Sequence, residues 1–306
     1  MKRRAFGNAV LCSHISLQKF SRFQYFGRKL VIAFLVFGLN LLSGCGDAFV
    51  PKEATQITTS ELPMVVQDGI SMPHFPTADG QLNYARSGFT DKREKQAAFR
   101  AVVALFPEEK LQCGHAALGL AYLHLEPDYR FATALDIRQA VNDFTSILKQ
   151  FNTVDEVVAK THWYLGWIYT DLLGDSNTGI NHYFSVANNY GDIPMNLSVA
   201  IPWANLVYPP DQPKPLKPTT PQILWSEIAF LEIIRNAPSP DIAIQAFNRL
   251  FENTASNQVH GFALKAMLEN SELAPVAAPK IPLYLKDSQN PYLQRQIEAL
   301  ATGNIP

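Results

Sequence analysis

The sequence has few cysteines, and they are not spaced to hold a metal or a redox centre. Cys12, Cys45 and Cys113 are the three cysteines among 306 residues. None of them forms the Cys-x-x-Cys pairing of zinc sites and thiol redox motifs. We therefore predict neither a disulfide framework nor a metal site, and we interpret Cys113 as a buried free thiol.

Familiar catalytic motifs are also missing. The sequence contains no His-Glu-x-x-His, no Gly-x-Ser-x-Gly and no glycine-rich phosphate loop. His115 and His124 are nine residues apart on one predicted helix, too far to share a metal, whereas His162 and His182 lie on partner helices and could approach each other. We therefore expect no catalytic residue, no cofactor and no enzymatic activity.

A general surplus of positive charge is absent, because the formal net charge is -1 and the isoelectric point is near 6.7. Nucleic-acid binders need Lys and Arg to neutralise phosphates, so we exclude nucleic acid as a partner. The first 29 residues are an exception, since they are basic and contain no acidic residue. This cluster is typical of a targeting segment.

An uncharged apolar run follows the basic cluster over residues 30–42, with the sequence LVIAFLVFGLNLL. A spanning helix needs about 20 apolar residues, so this run is too short to cross a membrane unless it recruits residues 43–46, in which case the segment would be an uncleaved N-terminal anchor. A basic region, an apolar region and small residues are the three zones of an export signal. We predict that residues 1–44 are a signal peptide.

The end of this segment, Leu42-Ser43-Gly44-Cys45, resembles the lipobox of bacterial lipoproteins. The resemblance implies that a signal peptidase recognises Leu42, Ser43 and Gly44, and that Cys45 becomes an acylated first mature residue. Each buried methylene adds about 0.8 kcal/mol, so several acyl chains hold a protein on a bilayer. The family implies a periplasm-facing position in the bacterial cell envelope, and Gly46 after the cysteine favours the outer over the inner membrane.

The mature protein begins with a stretch that has no sustained period. Residues 45–90 contain Pro51, Pro63, Pro73 and Pro76 among polar and small residues. Such a composition is typical of a linker. We predict a flexible tether, in which some pieces dock on the body, that holds a folded domain away from the lipid headgroups.

Residues 91–208 have the three- and four-residue spacing of amphipathic helices. We predict five: one ending at Phe106, one over 107–125, one over 135–151, a fourth opened by a Thr153/Glu156 capping box, and a fifth capped within 175–178.

Two of these helices carry the same Leu-Gly-x-x-Tyr motif, and each is followed by a helix with a small residue four positions before an aromatic residue. The residues are Leu118, Gly119 and Tyr122 with Ala140 and Phe144, then Leu165, Gly166 and Tyr169 with Gly179 and Tyr183. The pattern resembles the tetratricopeptide repeat, in which glycine permits close helix packing and the aromatic residues fill the space between helices. The first unit has a wider spacing, which predicts an insertion around LEPDYRFATALD.

A proline-rich segment divides the predicted helices. Residues 209–221 read PPDQPKPLKPTTP and cannot continue a helix. We predict a linker there and a second helical region over 222–306, with a last helix that begins at Asn290-Pro291. The predicted fold is all-α, a tetratricopeptide-like helical-hairpin solenoid followed by this C-terminal region.

The fourth helix contains the densest aromatic cluster, in which Trp163 and Trp167 share one side. This side either packs against the next hairpin or lines a groove for a partner. We expect a membrane-anchored scaffold that binds another envelope protein, because repeat surfaces bind rather than catalyse. The alternatives are a periplasmic enzyme or enzyme accessory acting on envelope glycan, and a structural lipoprotein without a specific groove.

The lipobox resemblance predicts that Cys45→Ser abolishes acylation, since the hydroxyl replaces the thiol that carries the lipid. Metabolic labelling with radioactive palmitate should label the natural protein and leave the variant unlabelled, in soluble or unprocessed form. Cys12→Ser is the matched control and should keep the label. Equal labelling of the Cys45→Ser protein would contradict the predicted anchor.

Overall fold

The computed structural model describes residues 62–87, 89, 91–126, 128–195, 223–253, 257–288 and 290–303. They are mostly helical and include one two-stranded sheet, consistent with the predicted all-α class. All of them belong to one compact unit, residues 58–306. The signal peptide, the lipobox with Cys45 and the 209–221 linker lie outside the described residues.

A β-hairpin opens the described part of the protein. Strand β1 (Met64–Gln67) pairs antiparallel with β2 (Ile70–Pro73). The turn residues Asp68 and Gly69 both have positive φ, 53° and 78°, which matches the twist of a two-residue hairpin. The Asp68 carboxylate lies 2.7 Å from an Arg100 guanidinium nitrogen, which connects the turn to a helix of the body.

The first helix, α1 (Ala78–Arg86), follows the hairpin and is capped by the Thr77 hydroxyl. Met72, Leu82 and Ala85 are buried against the helices that follow. The prediction of a flexible tether is therefore wrong for residues 62–87. A four-residue strand and a nine-residue helix are too short to give a sustained period, and the prolines of this region lie at their ends.

Five helices follow in the region of the predicted repeats. They are α2 (Lys92–Leu105), α3 (Lys110–Tyr122), α4 (Ala134–Gln150), α5 (Asp155–Trp167) and α6 (Ser176–Asn189). Short 3-10 turns, Leu123–Leu125 and Tyr129–Phe131, lie between α3 and α4, where the insertion is predicted. The last turn of α5 continues as a π-helical segment, Ile168–Leu172.

One predicted helix start is wrong and another is confirmed. Asp175 accepts a hydrogen bond from the Thr178 amide at 3.1 Å, as expected for the cap of α6. At α5 the N-cap is Val154, without a side-chain cap, so Thr153 and Glu156 do not form the predicted capping box. The Glu156 carboxylate instead accepts a hydrogen bond from Lys160, one helical turn later.

The described C-terminal residues, from 223 onward, form six further helices. They are α7 (Trp225–Asn236), α8 (Pro240–Asn253), α9 (Asn257–Leu268), α10 (Ala274–Ala277), α11 (Ile281–Asp287) and α12 (Pro291–Ala301). Asn290 caps α12 by accepting from the Leu293 amide at 3.1 Å, so the predicted last helix is confirmed. Within the described part of the protein, every helix is too short or too polar to cross a lipid bilayer.

The largest hydrophobic core crosses the predicted boundary at 209–221. Trp163 of α5 and Tyr183 of α6 belong to the same buried cluster as Trp225 and Phe247 of the C-terminal helices. The Met195 amide donates to the Ile223 carbonyl at 2.8 Å, which joins the two segments directly. The described helices on either side of the linker therefore share one core and do not fold around separate ones.

The glycines of the repeat motif lie where helices approach closely. A Cβ atom on Gly166 would lie 2.6 Å from Cε1 of Tyr183, and one on Gly179 would lie 2.8 Å from the Gly166 carbonyl oxygen. In the other unit, a Cβ on Gly119 would lie 2.6 Å from Cε1 of Phe99 on α2, on the side of the preceding helix. Gly166 and Gly119 therefore each leave room for an aromatic ring. The ring comes from the following helix at Gly166 and from the preceding helix at Gly119.

Gly166→Ala should lower the free energy of unfolding by about 1–3 kcal/mol, the usual cost of overpacking a core. In a Tyr183→Leu background the same change should cost nothing or stabilise, because the ring is gone and Ala has about 1 kcal/mol better helix propensity than Gly. Urea unfolding followed by circular dichroism measures all four proteins of this cycle. An equal cost in both backgrounds would show that Tyr183 is not the obstacle.

Candidate functional site

A cavity of about 320 Å³ lies among α1, α2, α3 and α5. We call it the interhelical cavity. It is lined by Arg86, Lys95, Phe99, His115, Leu118, Gly119, Tyr122, Glu126, Tyr129, Lys160, Trp163, Tyr164 and Trp167. Its size is near the lower end of the range of about 300–1,000 Å³ that is typical of ligand pockets.

Aromatic residues form one wall of the cavity. The Tyr129 ring meets Trp167 edge-on with centroids 5.2 Å apart, and the Tyr122 and Tyr164 rings are 5.7 Å apart. Tyr164 also stacks on Phe144 at 5.1 Å, so its position is fixed from behind. The wall therefore combines rigid apolar surface with three phenol groups.

The two tryptophans predicted to contact a partner both line this cavity. Trp163 is only 5% exposed and Trp167 only 9%. They do not stand on an open outer surface, because α6 and the C-terminal core cover Trp163 and the Tyr129 ring packs on Trp167. A partner could therefore contact Trp163 and Trp167 only by entering the cavity.

A buried ionic cluster forms the opposite part of the wall. Lys160 is 4% exposed, and its Nζ donates to Glu156 Oε1 at 2.9 Å. His115 Nε2 lies 3.2 Å from the same oxygen. Burial lowers the pKa of Lys160, while the hydrogen bond and the charge of Glu156 partly oppose that effect. Burial alone would raise the pKa of Glu156, but Lys160 and His115 bring it below its ordinary value.

His115 is neutral at neutral pH. Burial, followed by the positive charge of Lys160, lowers its pKa to about 4. A neutral imidazole next to an ionised carboxylate donates through the nitrogen that faces it, here Nε2. The cluster therefore contains one cation, one anion and a neutral hydrogen-bond donor.

Two further cations line the cavity. Lys95 Nζ binds both carboxylate oxygens of Glu126 at 2.8 Å, and both side chains are partly exposed. Arg86, at the end of α1, has no carboxylate within ion-pair distance among the described residues. With Lys160, the cavity lining has three cations and, among the described residues, the single carboxylate of Glu126. Glu156, which pairs with Lys160 from outside the lining, supplies a second negative charge, so one positive charge is in excess.

The histidine pair on partner helices comes together as anticipated. Nδ1 of His162 and Nδ1 of His182 lie 2.9 Å apart, and Tyr169 stacks on His182 with centroids 5.6 Å apart. Burial lowers the pKa of both imidazoles, so the neutral rings share one hydrogen bond. No cluster of three or more His, Cys, Asp or Glu side chains that could hold a metal occurs among the residues that the structure describes.

Cys113 is a buried free thiol, as predicted. Its Sγ donates to the Phe106 carbonyl at 3.1 Å, and burial raises its pKa. Reactive cysteines need a lowered pKa, so this thiol is inert packing. His124 pairs with Asp143 at 2.9 Å and lies away from His115.

The cavity chemistry is suited to binding. A glycosidase general acid has a raised pKa, whereas the pKa of Glu156 is lowered and Glu126 is held by Lys95. The Glu156 carboxyl group is therefore not prepared for proton donation at neutral pH. The cavity lining offers apolar surface and hydrogen-bond donors.

The sequence reasoning missed the charged half of the site. Lys160 carries a local signal, because it is the one residue among Lys, Arg, Asp and Glu in the stretch VVAKTHWYLGW, with Glu156 four positions earlier. Arg86 and Lys95 carry none, since they come from α1 and α2 and reach the cavity only through tertiary packing.

Lys160→Met should raise the pKa of His115 above about 4. The lysine charge repels a proton on the imidazole, and its removal leaves the Glu156 carboxylate to attract one. NMR titration of the His115 ring measures the change, and the exposed Lys149→Met serves as control. An unchanged His115 pKa in Lys160→Met would show that burial alone sets it.

Comparison of the sequence and structure with protein-family models, with curated proteins and with solved structures found no match. A proposal about function must therefore be based on the residues of the cavity and on the sequence motifs.

Proposed function

We propose that the protein is a membrane-anchored lipoprotein of the bacterial cell envelope whose helical hairpins bind another envelope protein. The interhelical cavity is the recognition site in this proposal. The observation that carries it is the joint position of Trp163 and Trp167 in a cavity walled by four helices. Aromatic residues in desolvated pockets are the usual anchors of protein binding.

The helix contacts support a tetratricopeptide-like arrangement. Each helix from α1 to α8 contacts the next, and α1 also contacts α3, as α3 contacts α5. Contacts between neighbours and between second neighbours are typical of stacked helical hairpins, in which each unit buries its apolar face against the following one. The motif residues Gly166, Gly179 and Tyr183 lie in the contact between α5 and α6.

The anchor is supported by sequence alone. Leu42-Ser43-Gly44-Cys45 follows a basic segment and a short apolar run, as in bacterial lipoproteins. Acyl chains on Cys45 would restrict the protein to the membrane surface and raise its local concentration near other envelope proteins. A weak contact at the cavity would then suffice for association.

Site-specific photo-crosslinking in living cells tests the proposal. Tyr129 packs on Trp167 at the cavity and is 38% exposed, and Tyr292 on α12 is a matched control at 39%. Tyr129→p-benzoylphenylalanine should give one dominant protein adduct in envelope fractions after irradiation. The Tyr292 variant should not give that adduct.

Two results would contradict this function. One is the absence of any protein adduct at Tyr129 in a variant that folds and reaches the envelope. The other is the same adducts at both positions, because that pattern indicates contact without a specific site.

A further inference from the structure

We infer that the interhelical cavity recognises a carboxylate group of a peptide segment, next to an apolar or aromatic residue of that segment. This inference deepens the proposed function and rests on it, because it names the chemical group by which a protein partner would be bound.

The cavity has more free hydrogen-bond donors than its own residues can use. Lys160 has three N–H donors and gives one of them to Glu156. The Tyr164 hydroxyl has no hydrogen bond within the described part of the protein, although its ring is locked by Phe144. Trp163 Nε1 also has no partner among the described residues, but it is fully buried, so it serves as a reporter of binding and not as a contact to the ligand.

Arg86 is the cation of the cavity lining that has no ion-pair partner among the described residues. Glu156 and Asp79 act on its charge only through space, and neither makes a hydrogen bond to it. A guanidinium has five donors in a flat fork that matches the two oxygens of a carboxylate. Arg86 is exposed at the end of α1, so an incoming group can reach it.

Acceptors are scarce by comparison. Of the described residues that line the cavity, Glu126 is the only one with a carboxylate, and Lys95 occupies both of its oxygens. The same lining includes no Asn, Gln, Ser or Thr. A sugar presents hydroxyls that need acceptors as well as donors, whereas a carboxylate only accepts. The hydroxyls of Tyr122, Tyr129 and Tyr164 can accept as well as donate, but the excess positive charge has no counterpart in a neutral glycan and is matched by an anion.

The apolar surface of the cavity determines which kind of molecule the bound carboxylate belongs to. Trp163, Trp167 and Phe99 provide apolar surface beside the cations. A volume of about 320 Å³ is small, so it suits a side chain with its neighbour better than a folded element. A peptide carboxylate with an adjacent apolar residue fills both halves of the cavity.

The carboxylate has two sources in a peptide, the terminal carboxyl group or an Asp or Glu side chain. Three probes separate them: acetyl-Ala-Phe with a free C-terminus, acetyl-Phe-Asp amide, and the neutral acetyl-Ala-Phe amide. Each is titrated into the purified full-length acylated protein in detergent. The readout is the indole N–H resonance of Trp163, with tryptophan labelled by ¹⁵N and the four indole signals assigned by single Trp→Phe variants.

At least one of the two carboxylate peptides should shift the Trp163 signal and bind ten times more tightly, or better, than the neutral amide. Whichever binds more tightly identifies the source. Arg86→Gln should weaken that binding by about tenfold or more, since it removes a hydrogen bond to a charged group. Arg295→Gln on α12, also exposed, is the matched control and should leave the affinity unchanged.

Three results would overturn the inference: equal binding of the neutral and carboxylate peptides, no loss of affinity in Arg86→Gln, or tighter binding of a glucuronic-acid disaccharide than of either peptide. The test is separable from that of the proposed function. A specific protein adduct at Tyr129 without a carboxylate preference would sustain the proposed function and refute the carboxylate. Carboxylate binding without any protein adduct would refute the function.

Discussion

The buried Lys160 ammonium group and the carboxylate that compensates it link α5 to α3. Lys160 lies inside the body, and Glu156 on the same helix compensates its charge while His115 reaches across from α3 to the same oxygen. A buried charge left without its partner costs about 3–5 kcal/mol, so Lys160 and Glu156 are tolerated inside the body only as a pair. The contact of this cluster that joins α3 to α5 is the one between His115 and Glu156, and His115 and Lys160 both line the interhelical cavity.

Helix α5 contributes side chains to two hydrophobic clusters. Trp163 packs into the core that continues through the C-terminal helices, while Leu165 and Trp167 belong to the cluster around α4. A ligand wall built on such a helix is held from both sides, which is the condition for a preorganised site. The cost is that α5 tolerates little change, as the close approach of Tyr183 to Gly166 indicates.

The sequence predicts the helices of this protein far better than it predicts the tertiary contacts between them. The helices between residues 92 and 189 follow from their apolar period, and the caps at Asp175 and Asn290 follow from side-chain chemistry. The β-hairpin carries an Asp68-Gly69 turn between two short strands, which is a hairpin signal in the sequence, although the prolines that flank the strands are equally typical of a linker. The cavity has no such signal, because Arg86 and Lys160 come from helices that are distant in sequence and meet only in the folded protein.

The π-helical segment after Trp167 affects how this protein aligns with regular helical hairpins. Its Leu173 amide bonds to the Ile168 carbonyl five residues earlier, so the turn holds one residue more than an α-helical turn. The 13-position step from Gly166 to Gly179 therefore includes one residue that adds no α-helical rise, and the connection between the two helices is shorter by that amount. A profile that assumes uninterrupted α-helix would place every residue after Ile168 one position out of phase.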